Sequence, residues 1–191
     1  MKVVLASASE RRIELLERLI HNFDVIVSEF DENTVKFSES IDEYVKKIAL
    51  GKALNIKNKL SDDSVIIAAD TIVVCDKKIL GKPKDEKDAF EMLKMMQGRS
   101  HYVYSGIAVI NKSNDITETE SVKTKVTFSK MSDKEIHNYI KTKEPMDKAG
   151  AYGIQGIGGA FVEGIEGCYY NVVGLPLNRL KALLQKCKVI V

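Results

Sequence analysis

The chain has few cysteines and no signal that pairs them: Cys75, Cys168 and Cys187 are odd in number, far apart, and form no CxxC. That argues against a disulfide framework and a zinc site, and fits a reducing cytosol. No apolar run approaches the roughly 20 residues of a membrane span, so no membrane partner is expected. The first residues, MKVVLASASERR, have too short an apolar segment for a secretory signal. The expected compartment is the cytoplasm. Neither sign of charge dominates, since 29 Lys and Arg stand against 27 Asp and Glu. That balance, with no basic-aromatic strip, speaks against a nucleic-acid partner. A local basic cluster for a small anion stays compatible with it. Internal repeats and low-complexity linkers are absent as well. The 191 residues suit one domain, 1–191, with two lobes allowed and a sizeable core.

What is present centres on SVIIAADTIVVCDKKILGKP, Ser64 to Pro83. Val65 to Ala69 form an unbroken apolar run, and Ile72 to Cys75 another. Continuous hydrophobicity predicts a strand covered on both faces, at the centre of a sheet. Asp70 and Thr71 interrupt it. A carboxylate in apolar surroundings is costly unless paired or bound to a metal; the alternative is a turn between two strands. Gly81-Lys82-Pro83 brings an amine to a rigid bend, or forms a plain surface loop.

Upstream, Val3 to Ala6 reads as a buried strand, followed by Ser7, Ala8, Ser9 and a helix with Ile13, Leu15, Leu16, Leu19 and Ile20 inward. Ser9 is the expected N-cap. Two serines with Arg11 and Arg12 in the first turn resemble an anion cradle, where backbone N–H groups, the helix dipole and guanidinium groups share a target. Salt bridges to Glu10 or Glu14 are the alternative. Phe23 to Val27 is a predicted strand ending in the acidic loop Ser28 to Glu32, which is either solvated or, facing Asp70, a source of a second metal carboxylate. Ser40 and Glu43 make a capping box for the next helix. Lys52 falls on that helix's apolar stripe, either snorkelling outward or aimed into a cleft. Residues Ser61 to Ser64 form a loop before the central strand.

Beyond Pro83, Asp85-Glu86 opens a helix with Ala89, Phe90, Leu93 and Met96 inward and Gly98 as its C-terminal cap. Tyr102 to Ile110 is a strand in which Gly106 permits a close approach. After a turn at Asn111 to Asp115, Val122, Val126 and Phe128 alternate with Lys123 and Lys125 on a strand with one wet face. Ser132 and Glu135 form a second capping box, with Ile136, Tyr139 and Ile140 inward and an end near Pro145. The texture then turns glycine-rich. Gln155 carries both a donor and an acceptor, the chemistry that reads a base edge. Tyr152 either packs in the core or stacks on that base. Ala160 to Glu163 and Cys168 to Val173 suggest a hairpin around Ile165-Glu166, and a last helix starts at Pro176. Irregular alternation of strands and helices predicts a mixed sheet flanked by helices.

Five segments together resemble the Maf family of nucleoside triphosphate pyrophosphatases: LASASERR (Leu5 to Arg12), AADT (Ala68 to Thr71), GKP (Gly81 to Pro83), EPMDKAGAYGIQG (Glu144 to Gly156) and VVGLP (Val172 to Pro176). The resemblance implies an α/β fold, an extended twisted mixed β-sheet flanked by helices, with two lobes and a deep cleft. It implies metal-dependent hydrolysis of a nucleoside triphosphate to the monophosphate and pyrophosphate, on the branch acting on dTTP and UTP. It assigns Asp70 as proton acceptor and Arg11, Thr71 and Gln155 to substrate choice. It matches Glu32, or next to it Asp31, to the acidic loop residue, and Lys52 to the lysine of the second helix. Glu10 stands where the family usually has proline.

On this basis Glu32 and Asp70 are expected to hold a divalent cation, magnesium or in its place manganese. Arg11, Arg12, Lys52 and Lys82 would hold phosphates, with Ser7 and Ser9 adding donors. The partner is a nucleoside triphosphate, and a homodimer is left open. Two other readings compete: a nucleotide sensor acting on septum formation, and a broader enzyme for noncanonical triphosphates.

Overall fold

A computed structural model describes residues 1–37, 40–60 and 63–190. Of the Ser61 to Ser64 loop, Ser61 and Asp62 lie outside the described residues. The strands are β1 (Lys2–Leu5), β2 (Asp24–Val25), β3 (Ser64–Cys75), β4 (Lys78–Leu80), β5 (Ser100–Asn111), β6 (Ile116–Phe128) and β7 (Val162–Glu166). They form one seven-stranded sheet in the order β2-β1-β3-β5-β6-β7, with β4 pairing β3 off that path. The sheet is mixed: β1 runs parallel to β2 and β3, while β3–β4 and β6–β7 are antiparallel. The helices are α1 (Glu10–Glu17), α2 (Ile41–Lys57), α3 (Glu86–Met96), α4 (Asp133–Lys141), α5 (Tyr169–Val173) and α6 (Leu177–Lys186). None is long and apolar enough to cross a membrane.

The central strand is continuous through Asp70 and Thr71, so the turn alternative is excluded there. Every residue of β3 except Thr71 is buried, as an apolar run covered on both faces requires. Where β3 ends, Asp76 and Lys77 both take positive φ, 48° and 64°, and close a two-residue hairpin to β4. Sequence signals for this turn favour Asn-Gly, which is why β4 went unread.

The chain divides into two compact units: 1–70, 105–122 and 174–191 in the first; 71–104 and 123–173 in the second. In the first, Ala49, Ala53 and Ile56 of α2 pack with Val4, Ile66, Ala68, Ala108 and Ile110 of the strands. Gly106 permits the expected approach: a Cβ there would lie 2.1 Å from the Val45 carbonyl oxygen. In the second, Leu93 and Met96 of α3 and Ile136 and Tyr139 of α4 pack with Val73, Val103, Val126 and Phe128. Tyr152 belongs to this core, edge-on to Phe128 and hydrogen-bonded to His101 Nε2 at 2.9 Å.

Local expectations fare unevenly. The Ser132–Glu135 capping box is complete, and Ser40 accepts from the Glu43 N–H. Ser9 occupies the N-cap of α1, but its side chain makes no cap hydrogen bond; its own N–H donates to Ser7 Oγ. The strand expected over Phe23 to Val27 shrinks to Asp24–Val25. The hairpin expected around Ile165-Glu166 does not form. Residues 162–166 pair with β6 instead, and Tyr169–Val173 is helical, just after Cys168, whose N–H donates to Thr124 Oγ1 and whose carbonyl accepts from it, both at 3.1 Å. Pro176 is the N-cap of α6 rather than its first helical residue.

Candidate active site

In the first unit, Lys52 decides where the charges sit. It lies on α2, four residues past Ile48, so the helix aims it with the core-facing stripe. It does not snorkel: its side chain is 14 % exposed and its ammonium lies 2.7 Å from both Glu32 Oε1 and Asp70 Oδ1. Asp70 is brought there by the buried middle of β3, its side chain 9 % exposed. Glu32 arrives from the acidic loop, at the start of a 3-10 turn over Glu32–Thr34. Asp31, the other candidate carboxylate, is committed elsewhere, accepting from the Asn33 N–H and Nδ2 at 3.0 Å. The geometry therefore favours Glu32 over Asp31.

Arg12 of α1 feels the same charges. Arg12 donates from Nε to the Gly174 carbonyl at 2.9 Å and from Nη1 to Ser7 Oγ at 3.3 Å. Burial pushes the Arg12 pKa below its ordinary value; Asp70 and Glu32 oppose the shift and Arg11 adds to it. Tyr44 of α2 joins this set, its phenol raised by burial and then by Asp70 and Glu32. Ser7 is buried at the end of β1 and Ser9 is half-buried. Glu10 is exposed in the first turn of α1, where its charge complements the dipole. Ser7, Arg11, Arg12, Glu32, Lys52 and Asp70 thus form one electrostatic neighbourhood. Gly174 and Tyr44 had no role assigned from sequence, although VVGLP had marked the first.

Two carboxylates sharing one point are hard oxygen donors of the kind magnesium takes, one or two from protein and the rest from phosphate and water. Among the described residues no group of three or more His, Cys, Asp or Glu gathers. The pair therefore fits a cation shared with a phosphorylated ligand better than a closed all-protein cage.

The other three expected site residues belong to the second unit. Thr71 opens it on β3, half-buried. Lys82 is exposed, on a bend whose Gly81 carbonyl accepts from the Gly150 N–H at 3.0 Å. Gln155 is exposed, at the tip of a turn. What shapes that turn is Glu144, which sequence reasoning missed. Its carboxylate accepts from the Ile157 N–H at 2.9 Å, the Gly158 N–H at 3.0 Å and the Tyr139 hydroxyl at 2.8 Å. The Tyr139 oxygen accepts in turn from the Gly153 N–H at 3.1 Å. The glycines leave room for these groups: a Cβ would fall 2.4 Å from Glu144 Oε2 at Gly156 and 2.4 Å from the Tyr139 oxygen at Gly158. Burial pushes Glu144 upward, but the bonds from Gly158, Ile157 and Tyr139, with Lys148 nearby, leave it below the usual carboxylate range.

Residues 2–187 match the family described as Maf-like protein. The chain is 68% identical over 186 residues to a protein of Clostridium botulinum (strain Eklund 17B / Type B) named dTTP/UTP pyrophosphatase, covering 97% of this chain and 99% of that one. It is equally 68% identical, with the same coverage, to a Clostridium beijerinckii protein of that name. Among solved structures it resembles the Staphylococcus aureus Ham1 protein, with TM-score 0.54 at 16% identity over 97% of this chain and 99% of that one. That last likeness is one of fold.

Proposed function

The chain belongs to the Maf family, and from that premise we propose that it is a nucleoside triphosphate pyrophosphatase that clears dTTP and UTP to their monophosphates. The observation that carries the reading is the convergence of Glu32 and Asp70 on the Lys52 ammonium, with Arg12 and Arg11 in the same electrostatic neighbourhood. Relatives 68% identical bear the name dTTP/UTP pyrophosphatase, which supports the choice of substrate.

The reaction adds water to the α-phosphorus and breaks its bridge to the β-phosphate, releasing pyrophosphate. Asp70 is the general base, taking the proton from the water whose oxygen joins phosphorus. Glu32 and Asp70 would together hold the divalent cation. A bound magnesium or manganese supplies Lewis-acid stabilisation of the phosphate charge. Lys52 keeps the two carboxylates on one point and offsets one of their charges. Arg11, Arg12 and Lys82 bind phosphate oxygens, and Ser7 and Ser9 add donors at the start of α1. Arg12 is held in place for this by the Gly174 carbonyl. Gln155 reads the pyrimidine edge from an exposed turn, with Thr71 as the companion specificity residue.

A panel of dTTP, UTP, CTP, GTP and inosine triphosphate with magnesium tests the assignment. Pyrophosphate as product, with dTTP and UTP preferred, is expected. Orthophosphate as the primary product would place cleavage at the terminal phosphate and refute it. Binding without turnover would favour a sensor, and a flat profile a broader enzyme. Gln155→Ala should level the base preference; an unchanged order removes Gln155 from the reading role.

A further inference from the structure

We infer that Gly51 and Asn55 of α2 are positioning residues that deliver Glu32 to Lys52. The inference rests on the acidic site proposed above and extends it to the device that assembles it. The loop Ser28 to Glu32 runs against the direction of α2 and is fastened to it at successive turns. Lys59, just beyond the helix, pairs with Glu29 at 2.9 Å. Asn55 Oδ1 accepts from Ser28 Oγ at 3.2 Å and from the Glu29 N–H at 3.1 Å. Ser28 Oγ then accepts from the Phe30 N–H at 3.2 Å, and the Phe30 ring faces the helix. That ring lies on Gly51, and the next residue, Lys52, holds Glu32 at 2.7 Å.

Gly51 and Asn55 are four apart, and Lys59 four further, so one side of the helix serves as the track. The fastenings differ in weight. The Glu29–Lys59 pair is exposed and of a kind that adds little. The Phe30 seat is tight: a Cβ at Gly51 would lie 2.3, 2.5 and 2.7 Å from three ring carbons, so the ring would have to move. Glycine is otherwise a poor choice within a helix, where alanine is the better former. A residue that costs helix stability while seating the ring two positions before Glu32 has its explanation in the site. The Glu32 side chain is itself about half exposed.

The test is a cycle in the full-length protein. Gly51→Ala is measured alone and combined with Glu32→Gln, by dTTP turnover with magnesium, thermal melting and amide exchange at Asn33, Thr34 and Val35. Gly51→Ala should lower kcat/KM on the order of 10²-fold, as misplacement by about 1 Å can do. It should melt no lower than the parent and exchange faster at those three amides. Combined with Glu32→Gln it should add less than about twofold, because both changes remove the same contribution. Asn55→Leu should repeat the pattern more weakly, and Asn55→Asp, which keeps the acceptor, should restore activity. Equal losses with and without Glu32 would mark a merely structural role and overturn the inference, as would full activity in both Gly51→Ala and Asn55→Leu. A fully active Glu32→Gln would topple the acidic-site reading and this inference with it. A dead Glu32→Gln beside an active Gly51→Ala would sink this inference alone.

Discussion

The acidic cluster around Lys52 and the turn that carries Gln155 solve the same problem by different means. In the first unit, charge holds charge: one ammonium gathers two carboxylates, and the backbone serves only to bring them within reach. In the second, a single carboxylate, Glu144, gathers backbone N–H groups, and glycines clear the space it needs. The first arrangement can exchange its partners, because a cation and phosphates offer the same kinds of interaction as Lys52, Glu32 and Arg12. The second has a fixed shape that no exchange of ions would preserve. Chemistry is thus expected from the cluster and selectivity from the turn.

The sharpest way to break this contrast is Asp70→Asn. It keeps an oxygen near Lys52 but removes the base, and turnover should fall by about 10³-fold, within the range assigned to general bases. Parental turnover in a steady-state assay would end the assignment. Next comes Lys52→Met, which removes the ammonium between Glu32 and Asp70 and leaves Arg12 as the nearby positive charge. Breaking such a largely buried pair costs roughly 3 kcal/mol. Chemical denaturation should show that loss, and added magnesium or manganese should restore part of it. A melt insensitive to either ion would mean the carboxylates do not hold one.

The second unit has its own acid sensitivity, with no ionic cluster involved. Burial holds the pKa of His101 down to about 4, and its Nδ1 has no hydrogen-bond partner among the described residues to reward a proton. The unfolded chain, with an ordinary histidine near pH 6.5, binds that proton more readily, so stability falls as pH drops from about 6.5 to about 4. The contribution is about 3 kcal/mol at full extent. Denaturant titrations across this window should show the slope, and His101→Asn should flatten it. The smallest effect belongs to Glu144→Gln, where an amide nitrogen meets N–H groups that need an acceptor. It should cost about 2 kcal/mol and weaken discrimination between dTTP and CTP while leaving the pH dependence of turnover unchanged. Loss of turnover equal to that of Asp70→Asn would abolish the division of labour.

Much of this was legible from residue types. An apolar run as unbroken as Val65 to Ala69 marks a central strand because only a strand covered on both faces can bury it. Ser132 and Glu135 mark a helix start because their spacing lets each side chain satisfy the other's backbone. Asp76-Lys77 hid a hairpin because lysine, where such a turn usually carries glycine, does not favour the left-handed backbone that both residues adopt there. Cys168 to Val173 suggested one arm of a hairpin, but Tyr169–Val173 is a helix, with Cys168 and Asn171 bonded to Thr124 from another part of the chain.

By itself the amino-acid order determined which chemistry was on offer: a carboxylate set in an apolar strand, arginines at a helix start, a lysine on a buried stripe, an amide among glycines. These follow from local propensity and the cost of burying charge, which depend on near neighbours alone. Only the tertiary structure decided that Glu32 rather than Asp31 meets Lys52, that Gly174 anchors Arg12, and that Glu144 shapes the Gln155 turn. Each of those depends on directions in space between residues set apart along the chain, and periodicity and composition carry no such information.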